Sequence, residues 1–226
     1  MRKFIVLLFI AACFFVSCTK VDDNTDNTTY KVGDTGPAGG IIFYDKGEYS
    51  DDWRYLEAAP NDLRVINEDP TVDSSIARYT HGTDTFAFGY FKSIKGTNLF
   101  INGTDTAIGS GKKNTRRIVE AMGIVAFNTE DSNDVTEYYS AKLCDILSHR
   151  SGEEEYSDWF LPSKDELDLL YTNLHKNSLG NFTSSLYWSS SEADSASTAY
   201  IQDFSNGNQS AEQRKTEGRI RPVRAF

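Results

Sequence analysis

The chain has 226 residues, with 33 acidic against 23 basic side chains and a net charge of −10. This length suits one domain of ordinary size or two small ones. The acidic balance argues against nucleic acid as a partner, because binding to a phosphate backbone needs a basic surface.

The first 17 residues predict an export signal. Arg2 and Lys3 precede an unbroken apolar run at residues 4–16. That run is shorter than the roughly 20 residues that cross a bilayer, but it has the length of the apolar region of a signal peptide. Since no comparable run follows, we expect no other membrane-spanning segment.

Cys18 is the predicted lipidation site. Ser17 and Cys18, followed by the polar Thr19, resemble the lipobox of bacterial lipoproteins, in which the cysteine is cleaved free and lipidated. An ordinary secretory signal cut nearby is the alternative. Because more than one acyl chain anchors a protein stably, we expect attachment to the cell envelope through Cys18. Thr19 resembles outer-membrane sorting, and which face of the membrane the protein occupies stays open. With Cys13 removed, Cys144 has no partner for an internal disulfide.

Residues 18–29 are polar and acidic, lack a periodic apolar pattern, and predict a disordered tether. The folded domain is expected to cover residues 30–226. Near its start, residues 41–44 form a β-rich apolar run, and residues 53–58 have the pattern of its partner strand. Residues 61–108 hold short apolar pieces between polar residues, and they predict loops with short strands.

Two helices are predicted in the middle of the chain. The first covers residues 114–122, with Asn114 as its N-cap. The second covers residues 134–147. Cys144 lies beside the apolar stripe of the second helix, so we expect its thiol to be buried.

A third helix has the clearest start signal. Ser163 and Glu166 have the spacing of a capping box, in which each side chain accepts a hydrogen bond from the backbone amide of the other residue. The apolar residues that follow recur at helical spacing: Leu167, Leu170, Tyr171 and Leu174. This pattern predicts a helix that packs one face on a sheet.

The last quarter of the chain predicts β-structure. Strands are expected at residues 186–188, 198–204, 208–215 and 219–226. The two middle strands flank Asn206-Gly207, which favours a two-residue type I′ hairpin turn. Because strands, then helices, then strands follow one another, the sequence indicates an α+β fold with an antiparallel sheet and flanking helices.

Several separate segments resemble one known family. They are GPAGGIIFYDKG (36–47), WRYLEAAP (53–60), IGSGKKNT (108–115), DWFLPSKDEL (158–167), YWSSSE (187–192), FSNGNQ (204–209) and RIRPVRAF (219–226). Their order and spacing resemble the DUF1566 family, also called the Lcl C-terminal domain family, which is similar to the Fibrobacter major paralogous domains. The resemblance covers residues 30–226, and residues 61–107 depart from the family pattern.

This resemblance implies a C-type-lectin-like fold. In that fold the N- and C-terminal strands pair, so both ends of the domain meet, two helices flank the sheet, and a long loop region carries recognition. The family occurs on exported bacterial proteins, and some members look like adhesins for glycans. It brings no catalytic residues to this chain.

The sequence offers no catalytic set. Its three histidines share no ligand-like spacing, so neither a metal site nor another cofactor is predicted. Adjacent surface acids repel each other and are solvated, whereas a glycosidase needs two carboxyls opposed across a cleft. We therefore expect a protein that is not an enzyme.

Aromatic, hydroxyl, amide and carboxylate groups, which are the types that bind sugars, cluster in two segments. The candidate ligand-binding residues there are Trp188, Ser190, Glu192, Asp203, Asn206 and Asn208. For Trp188, a place in the core is the alternative. Guanidinium groups suit sulfate and carboxylate, and the basic C-terminal segment therefore adds Arg219, Arg221 and Arg224. The alternative for these arginines is ion pairing with acids of the protein itself.

The expected function is that of a lipid-anchored surface or envelope lipoprotein whose lectin-like domain binds an extracellular glycan or protein, as an adhesin does. A structural lipoprotein of the envelope that binds no small ligand is the alternative, and an enzyme of unknown type is the third.

Overall fold

The computed structural model describes residues 28–64, 84–89, 101, 103–123, 126–127, 135–136, 138–194 and 197–226. The leader, Cys18 and the tether up to residue 27 lie outside the described residues, so what the sequence predicts for them stays a prediction. In the described part, no helix is both long and apolar enough to cross a membrane.

Short strands and short helices make up the described chain. The strands are β1 Ile41–Ser50, β2 Trp53–Ala58, β3 Phe86–Ala87, β4 Ala126–Phe127, β5 Val135–Thr136, β6 His149–Ser151, β7 Glu154–Tyr156, β8 Leu186–Glu192, β9 Thr198–Asp203, β10 Gln209–Gln213, β11 Glu217–Gly218 and β12 Val223–Ala225. The helices are α1 Gly111–Met122, α2 Ser140–Asp145 and α3 Lys164–Leu169. A π-helical turn, Leu170–Leu174, and a 3-10 turn, His175–Asn177, continue α3.

The strands pair antiparallel in every described sheet. One three-stranded sheet has the order β1-β2-β12 and another has the order β10-β9-β8. Three further ladders have two strands each: β3 with β11, β4 with β5, and β6 with β7. Because α1 and α3 both contact β8, the architecture combines helices with antiparallel sheets, as the sequence predicts.

The first and last strands share a sheet, but the expectation that they pair with each other is wrong. The last strand, β12, pairs with β2, which separates it from β1. In that pairing Arg224 lies opposite Glu57, and its Nη1 is 3.2 Å from the carboxylate. A buried cross-strand ion pair thus holds β12 against β2. The two ends of the domain do meet, since the rings of Tyr30 and Phe226 lie 5.6 Å apart.

A two-residue hairpin turn joins β1 to β2 rather than β9 to β10. Asp51 and Asp52 have φ angles of 50° and 65°, and Ser50 pairs directly with Trp53, as in a type I′ turn. Aspartate tolerates this left-handed conformation better than most residues.

The prediction of a type I′ turn at Asn206-Gly207 is therefore wrong. Five residues, 204–208, separate β9 from β10, and Gly207 has a φ of 84° whereas Asn206 does not have a positive φ. The Asp203 carboxylate accepts hydrogen bonds from the Ser205 amide and the Asn206 side chain, both at 2.8 Å. These bonds stabilise a longer loop than the dipeptide alone favours.

Helix α1 begins three residues before the predicted N-cap. Asn114 lies fully buried inside the helix, where its side chain accepts from the amide of Asp105 at 2.9 Å and donates to the carbonyl of the same residue at 2.7 Å. Tertiary contacts thus explain an asparagine that resembles a cap in the sequence.

Helix α2 is shorter than the predicted span of residues 134–147. Val135 and Thr136 form β5, because β-branched residues favour a strand where a partner such as β4 is present. Cys144 is buried on α2, as predicted, and burial raises the pKa of its thiol.

The capping box of α3 is confirmed. Ser163 Oγ accepts from the Glu166 amide at 3.2 Å, and the Glu166 carboxyl accepts from the Ser163 amide at 2.7 Å. Leu167 and Leu170 are buried in a cluster that also contains Phe43 of β1 and Tyr187 of β8. Helix α3 contacts β8 and β9, and the π-helical turn that continues it contacts β1, so the apolar face packs between the two three-stranded sheets.

Candidate functional site

A pocket of about 290 Å³ lies between the β1–β2 hairpin, the start of α1 and the end of β12. Its lining residues are Asp51, Trp53, Leu56, Gly109, Lys112, Lys113, Arg116, Phe160 and Ala225. Leu56 and Phe160 are buried and form an apolar floor, whereas charged side chains stand at the rim. We call this cavity the Trp53 pocket.

One wall of the Trp53 pocket is aromatic. Trp53 is half-buried at the start of β2, and Lys46 Nζ lies 4.0 Å above its ring centroid. Gly109 approaches the indole so closely that a Cβ at this position would lie 3.0 Å from Cζ2 of Trp53. Since Gly109 also has a φ of 90°, only glycine fits here without strain, and the absence of a side chain lets the loop before α1 close against the indole.

The lining also has a basic part. Lys112, Lys113 and Arg116 are exposed on the first two turns of α1. Among the described residues, none of these three side chains forms an ion pair. Asp51 is the acid in the lining, so the pocket carries a positive charge in a chain of net charge −10. The charge of Arg116 interacts with Asp145, whereas Lys112 and Lys113 form no ion pair among the described residues, and such cations favour an anionic ligand.

A carboxyl group from α3 supports the loop that carries these lysines. Ser110, the N-cap residue of α1, makes no capping hydrogen bond with its side chain. Glu166 takes that role, because its buried carboxyl accepts from the amides of Gly109, at 2.8 Å, and Gly111. The same carboxyl closes the capping box with Ser163. One side chain thus accepts hydrogen bonds from free backbone amides at the starts of both α1 and α3.

Burial raises the pKa of Glu166 to about 7, although hydrogen bonds from Ser163, Gly109 and Gly111 act in the opposite direction. In the unfolded chain the pKa returns to about 4.5. The folded protein therefore holds this proton to higher pH. The resulting stabilisation, roughly 3 kcal/mol, is complete below pH 4.5 and is lost as the pH rises towards 7. We expect the free energy of unfolding, measured with urea, to fall across this window.

The matched reference for this measurement is Glu166→Gln, because glutamine does not titrate. Desolvation also raises the pKa values of buried Glu57 and of Asp145, whereas it lowers the pKa of His149. Taking the difference between the two proteins at each pH removes these contributions. Equal pH slopes in the two proteins would contradict the assignment of this proton to Glu166.

Side chains from three segments form hydrogen bonds with the backbone of the loop before α1, at residues 105–107. Ser191 Oγ donates to the carbonyl of Asp105 at 2.7 Å, and Ser163 Oγ donates to that of Ala107 at 2.9 Å. Asn114 binds Asp105 from within α1. The IGSGKKNT, LPSKDEL and YWSSSE sequences therefore meet behind the Trp53 pocket, and many of their polar residues have an internal structural role.

Trp188, a candidate ligand-binding residue, lies in the core. Its ring is fully buried, and the indole N–H donates to the carbonyl oxygens of Phe86, at 3.0 Å, and Thr216, at 3.2 Å. Ser190 is also buried and donates to the carbonyl of Pro162 at 3.1 Å. The alternative interpretation of Trp188 as a core residue is confirmed, and neither residue reaches the Trp53 pocket.

The basic C-terminal segment does not form an exposed cationic patch. The buried ion pairs are Arg214 with Glu192, Arg219 and Arg221 with Asp62, and Arg224 with Glu57 and half-buried Asp158. Four candidate residues are therefore engaged in ion pairs within the protein rather than exposed to solvent: Glu192, Arg219, Arg221 and Arg224. Pairing with the protein's own acids, which the sequence left open, is confirmed.

Asp203, Asn206 and Asn208 lie at the surface, in and beside the loop of residues 204–208. Asn206 and Asn208 are exposed, and the Asn208 amide donates to Asn206 Oδ1 at 2.8 Å. None of the three lines the Trp53 pocket. In the described part of the chain, no three His, Cys, Asp or Glu residues are grouped as metal ligands.

Trp53, Lys112, Lys113 and Arg116 are not among the site residues that the sequence predicts. Trp53 and both lysines lie in segments that carry the family resemblance, which was the available signal. The sequence could not show whether these cations form ion pairs, because a lysine on a helix usually faces solvent beside an acid.

Comparison with known proteins identifies one family. No curated protein matches the chain. The model of the Lcl C-terminal domain matches residues 103–224, from the loop before α1 to β12. Because this match covers more than half of the sequence, the chain belongs to the Lcl C-terminal domain family.

Proposed function

We propose that the protein is a lipid-anchored envelope protein whose domain binds an acidic saccharide in the Trp53 pocket. The observation that carries this proposal is the combination of an aromatic wall with two exposed lysines, Lys112 and Lys113, that have no ion-pair partner among the described residues. Sugar rings pack on aromatic faces, while carboxylate or sulfate groups pair with lysine and arginine.

The size of the pocket supports a short recognised unit. Its volume of about 290 Å³ lies just below the range of small-molecule sites, about 300–1,000 Å³. We therefore propose that the pocket holds one acidic sugar unit and that the rest of the ligand lies outside. Three cations and one acid in the lining favour the binding of an anion over acid–base catalysis.

We also propose that the domain has a C-type-lectin-like fold and that a lipid on Cys18 anchors it. The meeting of the two domain ends and the helices beside the sheets support a C-type-lectin-like arrangement. The leader supports lipidation of Cys18 and an outer-membrane location. In the family resemblance a long loop region carries recognition, whereas the Trp53 pocket lies between α1 and the sheet of β1, β2 and β12.

A panel of immobilised oligosaccharides tests the proposal. We expect the full chain, purified in detergent, to bind uronate-containing or sulfated members and to ignore their neutral counterparts. Replacing Lys112 and Lys113 with alanine is expected to weaken binding about tenfold, which corresponds to roughly 1.4 kcal/mol. Affinity is also expected to fall with salt, because exposed charges are screened.

The matched control replaces Lys176 and Lys215, which are exposed lysines outside the pocket. This double alanine variant has the same net charge as the pocket variant, and we expect it to bind like the wild type. Equal losses in the two variants would place recognition elsewhere. If no oligosaccharide of the panel bound, the result would contradict the proposal and favour a structural envelope protein without a small ligand.

A further inference from the structure

The ammonium group of Lys46 is bound to the β1–β2 hairpin instead of extending into water. Its Nζ lies 4.0 Å from the ring centroid of Trp53 and 3.9 Å from the carboxylate of Asp51, and it donates to the carbonyl of Ser50. The Lys46 side chain is 18% exposed, whereas that of Asp51 is 90% exposed. Because a lysine usually keeps its ammonium group in solvent, these contacts set Lys46 apart from the exposed lysines of α1.

Lys46 covers one face of the Trp53 indole. It stands over the ring but does not line the Trp53 pocket, so the face that it covers is turned away from the pocket. The ring of Tyr44 lies beside the same indole, with the two centroids 6.1 Å apart. On the other side of the pocket mouth, the loop before α1 closes against Cζ2 of the indole at Gly109. The indole is therefore held between the hairpin and this loop, and its second face is left to the pocket.

The indole N–H of Trp53 is also available to a ligand. The other two tryptophans, Trp159 and Trp188, donate their N–H groups to the carbonyl oxygens of Tyr156, at 3.1 Å, and Phe86, at 3.0 Å. Within the part of the chain that the structure describes, Trp53 Nε1 has no such acceptor. Since an indole N–H usually takes a hydrogen-bond partner when it is buried, we expect this group to donate to an oxygen of the bound sugar.

We propose that Lys46 is a positioning residue for saccharide binding. It holds the indole of Trp53 in the orientation that presents one ring face and the N–H to the ligand, and it does not contact the ligand itself. This inference rests on the proposed function and deepens it, because it separates two roles among the lysines. Lys112 and Lys113 attract the anionic group, whereas Lys46 fixes the surface on which the sugar ring packs. A side chain that is fixed before binding loses less conformational entropy on binding.

Acrylamide quenching of tryptophan fluorescence tests this positioning in the full chain without a ligand. We expect the quenching of Trp53 to rise about twofold in Lys46→Ala, because the covered ring face becomes accessible, and to stay unchanged in Lys46→Arg, which retains a cation for the ring. The same variants combined with Trp53→Phe measure the signal of buried Trp159 and Trp188 and show whether the core is intact. Equal quenching in Lys46→Ala and the wild type would overturn the inference.

Titration with trigalacturonic acid, an acidic oligosaccharide without sulfate, tests the effect on binding. We expect Lys46→Ala to weaken binding up to about tenfold, which is the cost of immobilising one more side chain, and Lys46→Arg to restore the affinity. The control Lys176→Ala removes the same charge at an exposed position and is expected to bind like the wild type. High salt should leave the loss in Lys46→Ala unchanged, because Lys46 acts through the indole and not on the charge of the ligand.

The two experiments separate the inference from the proposed function. If trigalacturonic acid binds the wild type and Lys46→Ala equally well, or if high salt removes the loss in Lys46→Ala, the inference fails and the proposed function stands. If no acidic member of the oligosaccharide panel binds the wild type, the proposed function fails and the inference fails with it.

Discussion

Replacing Arg221 with methionine is expected to lower the free energy of unfolding by about 3–5 kcal/mol. Arg221 is 1% exposed, and its Nε and Nη2 donate to Asp62 Oδ1 at 2.9 and 2.7 Å. Its Nη1 donates to the carbonyl oxygens of Ala59 and Gly180 at 3.0 and 2.7 Å. The variant leaves a buried carboxylate and two carbonyl groups without their strongest donors. Urea unfolding with an unchanged m-value measures the loss.

Arg150→Met is the matched control, because Arg150 is exposed on β6. Its effect is expected to stay within about 0.5 kcal/mol. Arg219 Nη1, 3.4 Å from Asp62 Oδ2, still pairs with this carboxylate in the Arg221 variant, so the loss is not expected to exceed the stated range. A loss below about 1 kcal/mol in the Arg221 variant would mean that the ion pair of Arg221 does not stabilise the fold. The C-terminal arginines would then again be candidates for binding a ligand at the surface.

Gly111→Ala is expected to cost about 4 kcal/mol, the second-largest effect, from steric overlap and from separated hydrogen-bond partners. A Cβ at Gly111 would overlap Glu166 Oε2 and lie 2.9 Å from the Leu161 carbonyl oxygen. The Glu166 carboxyl cannot withdraw freely, because the amides of Ser163 and Gly109 hold it at 2.7 and 2.8 Å. Alanine is favoured over glycine in a helix by about 1 kcal/mol, which is too little to offset this collision.

The control for this variant is Gly152→Ala, at a position where a Cβ would meet nothing within 4 Å and φ is 61°. Only backbone strain of about 1 kcal/mol is expected there. Thermal and urea unfolding of both variants give the comparison. If Gly111→Ala is as stable as the wild type, Glu166 does not sit at the start of α1, and the described support of the Trp53 pocket is wrong.

The contacts of Arg221 and Glu166 show how the family's sequence segments support the site. Arg221 ties the C-terminal segment to Asp62 behind β2, whereas Glu166 ties α3 to the loop before α1. Neither side chain lines the Trp53 pocket. Their role is to fix the backbone from which Trp53 and Lys112 project.

Local patterns were sufficient for several elements. The capping box at Ser163 and Glu166 predicted the start of α3, and the apolar runs predicted β1 and β2, because both signals depend on neighbours within a few residues. The local sequence pattern gave a wrong prediction where tertiary contacts outweighed the local conformational preference of a residue. Asn114 resembles an N-cap but binds Asp105 from inside α1.

The candidate site depended on partners that are distant in the chain. By itself the sequence determined the acidic balance, the leader pattern, the alternation of strands and helices, and the family. It supplied arginines and acids without their pairing, and Arg221 and Asp62 are 159 residues apart. Only the tertiary structure decided that the C-terminal arginines are buried in ion pairs while the cations of α1 face the Trp53 pocket. The physical reason is that a charge's partner is set by distance in space, which the fold, and not the local sequence, determines.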